Sequence, residues 1–289
     1  MGVEQEHLTQ LSNVKNYYNT AQKYYELVWY WRKRGLGLHY GLWTEDVHNR
    51  NQALVKENEV LANLAQVKPG DLVLDAGCGV AGSGIWLAQN KGVKVVGLNI
   101  VERQLRIGRN LAKDNSVTQA LRFTEADYHR LPFASNSFNI FWSLESIEHS
   151  DDLPAFIYEA RRILETGGRA VIAGTFKGNN EPTEVQREQL NVGLRAAGTF
   201  NDFRSAGQIA ELMEKSGFTN IRNLDTTDLV MESAREMHNM CRLGLPGAKI
   251  GHKMKIISQI MVDNTAWGVY QEGLFKSGVT SYNILVAEK

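Results

Sequence analysis

Gly77, Gly79 and Gly82 stand in the run Gly77-Cys78-Gly79-Val80-Ala81-Gly82, directly after the apolar Leu72-Val73-Leu74 and an acid, Asp75. A buried strand, a turn stripped of side chains and an apolar-periodic segment make a place where backbone can close on a ligand. Formally the run is G-x-G-x-x-G, a nucleotide-loop spacing that several enzyme classes share. Asp75 narrows the chemistry, because a carboxylate beside the loop repels a pyrophosphate and suits a cationic or amino-bearing ligand. A nicotinamide site also wants an acid at the end of the second strand, about 20 residues on. That place holds Asn99, which bonds a ribose hydroxyl less strongly than a carboxylate would.

A second group, Glu145, Glu148 and His149, follows a later apolar run, Phe138–Leu144. Glu145 and His149 are four apart and would share a face on a helical turn. His149 is the general-base candidate, since imidazole titrates near neutrality; it equally suits a structural role, holding the loop after the strand. The two cysteines, Cys78 and Cys241, lie far apart without metal-ligand spacing, so no metal site and no disulfide framework are expected. Cys78 reads as a small packing residue.

The elements that must position these groups alternate. Strands are expected at Leu72–Ala76, Val93–Leu98, Ala120–Thr124, Phe138–Leu144, Arg169–Ala173, Thr219–Leu224 and Ser281–Ala287. Helices are expected at Glu102–Asp114, at Leu153–Leu164 up to Gly167-Gly168, and at Ser205–Ser216. Alternation of this kind gives an α/β, Rossmann-like, seven-stranded and mostly parallel sheet with helices on both faces, and a ligand at the carboxyl ends of the strands. Residues 1–66 read as an N-terminal helical cap, with helix over 13–66 broken by Gly35–Trp43, and residues 67–289 as the main domain. Within that domain, 177–204 and 229–275 read as helical insertions forming a lid.

The 289 residues carry 32 Lys+Arg against 32 Asp+Glu, a net charge of zero that argues against a polyanion as the main partner. The amino-terminal Met-Gly-Val-Glu-Gln-Glu-His lacks the basic and apolar parts of a signal peptide and a myristoylation pattern. No run of about 18 apolar residues marks a membrane span. A cytoplasmic protein, monomer or homodimer, is the expectation.

Five segments in order, V-L-D-A-G-C-G, V-V-G-L-N, E-A-D-Y-H-R-L-P-F, F-N-I-F-W-S-L-E-S-I-E-H and R-R-I-L-E-T-G-G-R, resemble the ordered motifs of class I S-adenosylmethionine-dependent methyltransferases. With H-Y-G-L-W upstream, the resemblance is to the small-molecule branch: sterol and tocopherol enzymes, cyclopropane synthases, sarcosine-type N-methyltransferases and natural-product sugar O-methyltransferases.

The resemblance implies S-adenosyl-L-methionine as cofactor, leaving S-adenosyl-L-homocysteine. It implies that Ala76, Gly77 and Gly79 approach the methionine and ribose, that Asp75 orders the loop, and that Asn99 contacts the ribose with Ile100 on the adenine and Gln104 nearby. Asn99 suits a helix N-cap as well. Asp127 is implied as acceptor of the adenine amino group, flanked by Ala126 and Tyr128, with Ser143 and Leu144 at the methionine end. Tyr18, His39 and Tyr40 are implied to cover the cofactor, an aromatic face being attractive to a sulfonium. Glu148-His149 resembles the Glu-His of cyclopropane synthases. The resembling sugar enzymes carry a second carboxylate after the fifth strand, where this chain has Gly174-Thr175.

The acceptor implied is a small, partly apolar metabolite (terpenoid, quinol, alkaloid or glycoside), methylated on oxygen, nitrogen or carbon. The "apolar" rests on Trp29, Trp43, Phe200, Met231, Met237, Met240, Met254, Met261 and Trp267 in the cap and lid. A nucleic-acid methyltransferase is disfavoured by the balanced charge and by the lack of D-P-P-Y or N-P-P-Y after the fourth strand. A nicotinamide oxidoreductase and a non-catalytic cofactor-binding protein stay open as alternatives.

Overall fold

The computed structural model describes residues 3–25, 37, 39–198 and 203–289. Its core is one seven-stranded sheet in the order β3-β2-β1-β4-β5-β7-β6. The strands are β1 (Leu72–Ala76), β2 (Lys94–Asn99), β3 (Leu121–Glu125), β4 (Phe138–Leu144), β5 (Leu164–Lys177), β6 (Thr219–Asp225) and β7 (Thr280–Glu288). All neighbours pair in parallel except β7, which runs antiparallel to both β5 and β6. The helices are α1 (Val3–Tyr25), α2 (Arg50–Leu64), α3 (Gly82–Lys91), α4 (Glu102–Asp114), α5 (Leu153–Ile163), α6 (Glu184–Ala196), α7 (Ala206–Lys215), α8 (Thr227–Lys253) and α9 (Gln259–Lys276).

The strand pattern sets the two layers. Side chains alternate across a pleated strand, so Val73, Ile140, Trp142 and Val171 face α2 and α3, while Leu74, Phe141 and Ile172 face α5 and α7. Both faces are covered, which is why β4 reads as a continuous apolar run. Trp142, Phe141 and Phe156 are fully buried; truncating such an aromatic costs about 3–5 kcal/mol.

Helix starts are written locally. Asp152 accepts from the Ala155 amide at 2.9 Å, with Pro154 in the first turn of α5. Thr183 with Gln186 and Ser205 with Gln208 form capping boxes at α6 and α7, each an arrangement that satisfies two otherwise orphaned amides.

Two expected boundaries move. α5 stops at Ile163 and β5 begins at Leu164, so Gly167-Gly168 lies inside the strand's irregular start and not at a helix end. Gly167 has φ +78°, and a Cβ on Gly168 would stand 2.9 Å from the carbonyls of Asn139 and Glu165. Glycine is therefore spent on strand geometry there. The first helix begins at Val3, ten residues before the expected start. Trp29, Tyr30, Trp31, Phe200 and most of the Gly35–Leu38 loop lie outside the described residues. Among the described residues no helix is long and apolar enough to cross a membrane.

The sheet order reverses between β1 and β4. A crevice opens over the carboxyl ends of strands at such a switch point, and the Gly loop after β1 and the Glu145–His149 segment after β4 both end there.

Candidate active site

The loop after β1 is built from conformations that exclude side chains. Gly77 has φ +86°, and a Cβ on it would overlap the Ser146 side chain. Gly79 has φ +55° and faces open space, with nothing within 4 Å of where a Cβ would stand. The two glycines thus differ in purpose: one makes room for Ser146, the other for something outside the chain. That space belongs to a cavity of about 900 Å³ lined by Asp75, Gly77, Gly79, Asn99, Ile100, Gln104, Ala126, Asp127, Tyr128, Leu144, Glu148 and His149, among others. Its size is that of a cofactor pocket with room for a second ligand.

At the β2 end, the Asn99 side-chain amide donates to Gln104 Oε1 at 2.8 Å and to the Gly79 carbonyl at 3.3 Å. Its Oδ1 accepts from the Val101 amide at 3.2 Å, which steadies the turn before α4; the N-cap itself is Val101, without a side-chain bond, and not Asn99. Gln104 passes the link to Gln22 of α1 at 3.1 Å.

Asp127 is the hub of a denser cluster. His7 of α1 donates to Asp127 Oδ2 at 2.7 Å and reaches both oxygens of Asp151 at 2.9 Å. The His129 ring and amide meet Asp127 Oδ1 at 2.8 and 2.9 Å. Burial would raise the Asp127 carboxyl, but the bonds from His129 and His7 outweigh it and hold it at about 2. Burial would lower His7, yet its two carboxylate partners keep it above 6.5. The first helix is thereby tied through His7 to two cavity-lining carboxylates.

The segment after β4 departs from the expected shape. Glu145 takes a left-handed φ of +47°, costing about 1–2 kcal/mol, and Ile147–His149 forms a 3-10 turn. Glu145 and His149 therefore do not share a helical face. Glu145 turns to the Tyr40 amide (2.8 Å) and to Tyr282 Oη (2.9 Å). Tyr282 Oη also lies 2.7 Å from Glu57 Oε1. One phenol proton serves one carboxylate at a time, so the second bond needs a proton on a carboxyl. Burial, with Glu57 and Glu148 nearby, pushes Glu145 well above the usual carboxylate range, the direction that such a shared proton requires.

Glu148 lies on Gly174. A Cβ there would overlap Glu148 Oε1, and that same oxygen accepts from the Thr175 amide at 2.7 Å. The acid missing after the fifth strand is thus replaced in space by Glu148. Its Oε2 is buried without a partner, and burial pushes the carboxyl up to about 7. His149, by contrast, is pushed down to about 4 by burial, only partly offset by the Ala197 carbonyl. It is a neutral imidazole whose Nε2 accepts from Tyr18 Oη at 2.9 Å.

Several expected residues land elsewhere. Ser143 is fully buried and meets Ser146 Oγ at 2.9 Å, and Ser146 in turn donates to the Ala76 carbonyl at 2.7 Å. Ser143 and Ala76 sit behind the pocket wall, and Ser146, not foreseen, lines it. His39 does line the cavity, and its Nδ1 is 2.5 Å from Glu57 Oε2. Tyr40 lines the cavity with its hydroxyl buried and unpartnered. Of the side chains expected in a lid, Met237, Met240, Met261 and Trp267 line the cavity. Trp43 instead donates to Ser233 Oγ at 2.8 Å, Met231 packs on the core, and Met254 is exposed.

These residues fit the cofactor that the resemblance implies. The open face of Gly79, the unpartnered Asp75 Oδ2 and the Asn99 and Asp127 side chains line one continuous half of the cavity. They match an amino group, a ribose and an adenine. Asp127 retains lone pairs for an adenine amino group beside its histidine bonds.

Comparison with known proteins agrees. A family model described as "Methyltransferase domain" matches residues 74–172. A sarcosine/dimethylglycine N-methyltransferase of Halorhodospira halochloris is 29% identical over 198 residues, covering 67% of this chain and 70% of that protein. The methyltransferase GfsG of Streptomyces halstedii is 34% identical over 138 residues, 47% of this chain and 50% of that one. Residues 74–172 thus carry a methyltransferase domain, and the chain is similar to class I S-adenosylmethionine-dependent methyltransferases. Within that family, the matched stretch spans only half the length of some relatives. The [4+2]-cyclase SpnF has the same fold, with a TM-score of 0.76, 20% identity and coverage of 96% of this chain and 95% of that one. The methyltransferase fold thus hosts other chemistry, and the acceptor half of this cavity must be argued from its own residues.

Proposed function

We propose that this methyltransferase acts on a small, partly apolar metabolite carrying an ionisable O–H or N–H, and that Glu148 takes the proton. The observation that carries this reading is Glu148 itself: a cavity-lining residue whose buried carboxyl has one oxygen fixed by the Thr175 amide and the other without a partner. A base poised near neutrality is the most useful one at ordinary pH, and Glu148 stands at about 7. The cofactor supplies an activated methyl on a sulfonium. The chain's task is then to hold donor and acceptor in line and exclude water, which accounts for much of the rate.

Asp75, Gly77, Gly79, Asn99, Ile100, Gln104, Ala126, Asp127, Tyr128 and Leu144 are proposed to hold the cofactor. Residues 1–66 form a cap and the segments 177–204 and 229–275 a lid in this reading. Met237, Met240, Met261 and Trp267 give the acceptor side an adaptable apolar surface. A terpenoid, quinol, alkaloid or glycoside fits such a wall. His149 and Tyr18 position the acceptor as a neutral pair, with no proton exchanged. Methylation at carbon is the second reading, favoured by the same apolar wall; the methylated carbocation would then lose its proton to Glu148 after the transfer.

The test is incubation with an extract of the source cells and methyl-labelled cofactor, followed by mass spectrometry. A labelled product of small mass is expected, formed more slowly by Glu148→Gln. Tight binding of S-adenosylhomocysteine with no labelled product from a broad acceptor panel overturns the reading.

A further inference from the structure

The strongest surface feature is on the outward side of α8. Between Glu236 and Asp263 the chain carries Arg242, Lys249, Lys253 and Lys255 and no acid, in a protein whose net charge is zero. The same stretch exposes large apolar side chains: Leu243 (77%), Ile250 (60%), Met254 (64%) and Ile256 (70%). These are four of the eight exposed large hydrophobics recorded for the described residues.

Helical spacing orders them. Arg242, Lys249 and Lys253 recur at i, i+7 and i+11, and Leu243, Ile250 and Met254 repeat that spacing one residue on. The result is two parallel stripes, one basic and one apolar, about 16 Å long. Residues on the opposite side of the helix face inward: Cys241 and Gly244 line the cavity, and Ala248 is buried. Among the described residues none of the four cations has a recorded ion pair or hydrogen bond, although Arg235 of the same helix is paired with Glu232. Pro246 inside α8 leaves the stripes continuous.

A basic stripe beside an apolar one on a surface helix is the pattern of a helix lying in the headgroup layer of an anionic bilayer. We propose that the outward face of α8, with Lys255 and Ile256 beyond it, docks this protein on an anionic lipid surface. Charge decides the occupant: a second copy of this chain would bring an identical cationic stripe against the first. Docking stands apart from the acceptor's identity. Only one corollary rests on the reading above, that an apolar acceptor passes from the bilayer to a cavity lined by the same helix.

The experiment is co-sedimentation of the full chain with phosphatidylglycerol/phosphatidylcholine vesicles and with pure phosphatidylcholine vesicles. Binding to the mixed vesicles is expected, falling at high salt, with little binding to the neutral ones. A Lys249→Gln/Lys253→Gln variant is expected to bind the mixed vesicles about thirtyfold more weakly, at about fivefold per basic residue near an anionic surface. An Ile250→Ser/Met254→Ser variant is expected to weaken binding as well. Both keep wild-type binding of S-adenosylhomocysteine, which shows that they fold and separates this test from the acceptor assay. Recovery of the wild type in the supernatant with both vesicle types overturns the proposal. So does vesicle binding indifferent to all four substitutions. A dimer in solution that Ile250→Ser dissociates, without vesicle binding, assigns the face to self-association instead.

Discussion

Gly174 and Glu148 share one space: the missing Cβ of the first is what seats the carboxyl of the second, whose Oε1 then accepts from the Thr175 amide at 2.7 Å. Gly174→Ala is therefore expected to displace the acid. We expect turnover to fall roughly 10²-fold or more, with S-adenosylhomocysteine binding by calorimetry changed less than threefold. The overpacking itself costs about 1–3 kcal/mol of stability, measurable by denaturant melts.

Glu148 must be ionised to take a proton, and burial raises its pKa to about 7. The rate should therefore rise with pH through about 7 and level off above it. Glu148→Gln should lose that inflection and about 10²–10⁴-fold in turnover. Stability has the opposite sign, because a carboxyl with a raised folded-state pKa favours the native state most at low pH. That contribution is lost as pH rises from about 4.5 to about 7. Steady-state pH profiles and pH-dependent melts of both proteins check the two halves separately.

His149 is already neutral, with burial holding it at about 4. Its replacement should leave the shape of the pH profile unchanged. His149→Ala leaves Tyr18 Oη without its 2.9 Å partner. It should lower turnover through misplacement, by less than Glu148→Gln does. A profile that loses its inflection in His149→Ala would instead make the histidine the base.

Asp127 carries the charge that the adenine amino group would meet. Asp127→Asn should weaken S-adenosylhomocysteine about tenfold or more, as loss of a charge-assisted bond costs about 1.5–3 kcal/mol. kcat at saturating cofactor should fall less. Calorimetry and saturation kinetics distinguish the two effects.

His7 bridges Asp127 and Asp151 from the first helix. Its pKa is held above 6.5, so the charged bridge is complete below that value and is lost as pH rises through the raised one. Amide exchange in α1 should accelerate with rising pH beyond the intrinsic base-catalysed increase. His7→Gln should show fast exchange throughout.

The strand pattern was legible because burial on both faces writes itself as short apolar runs; β4 and α4 fall on their expected residues. The Gly loop was legible because glycine adopts the positive φ found at residues 77 and 79 at least cost. The proposed acid–base centre was not. Nothing in the spacing of Glu145, Glu148 and His149 shows that Glu145 adopts a left-handed φ and turns away, or that Glu148 settles on a glycine 26 positions later. Burial raises Glu148 and lowers His149, and the residues that meet this segment, Tyr18, Gly174 and Thr175 among them, come from distant parts of the chain. His7 was invisible for the same reason: its partner Asp127 lies 120 residues away.

Tyr282 has a consequence for the order of assembly. It joins Glu57 and Glu145 across sequence separations of 225 and 137 residues, contacts whose loop-closure cost delays them in folding. The Gly loop, Asn99 and Asp127 belong to the early strands, whereas the acid network under the reaction centre closes only when β7 slots between β5 and β6. The proposed cofactor side therefore rests on strands made early, and the Glu57–Tyr282–Glu145 network is expected to close last.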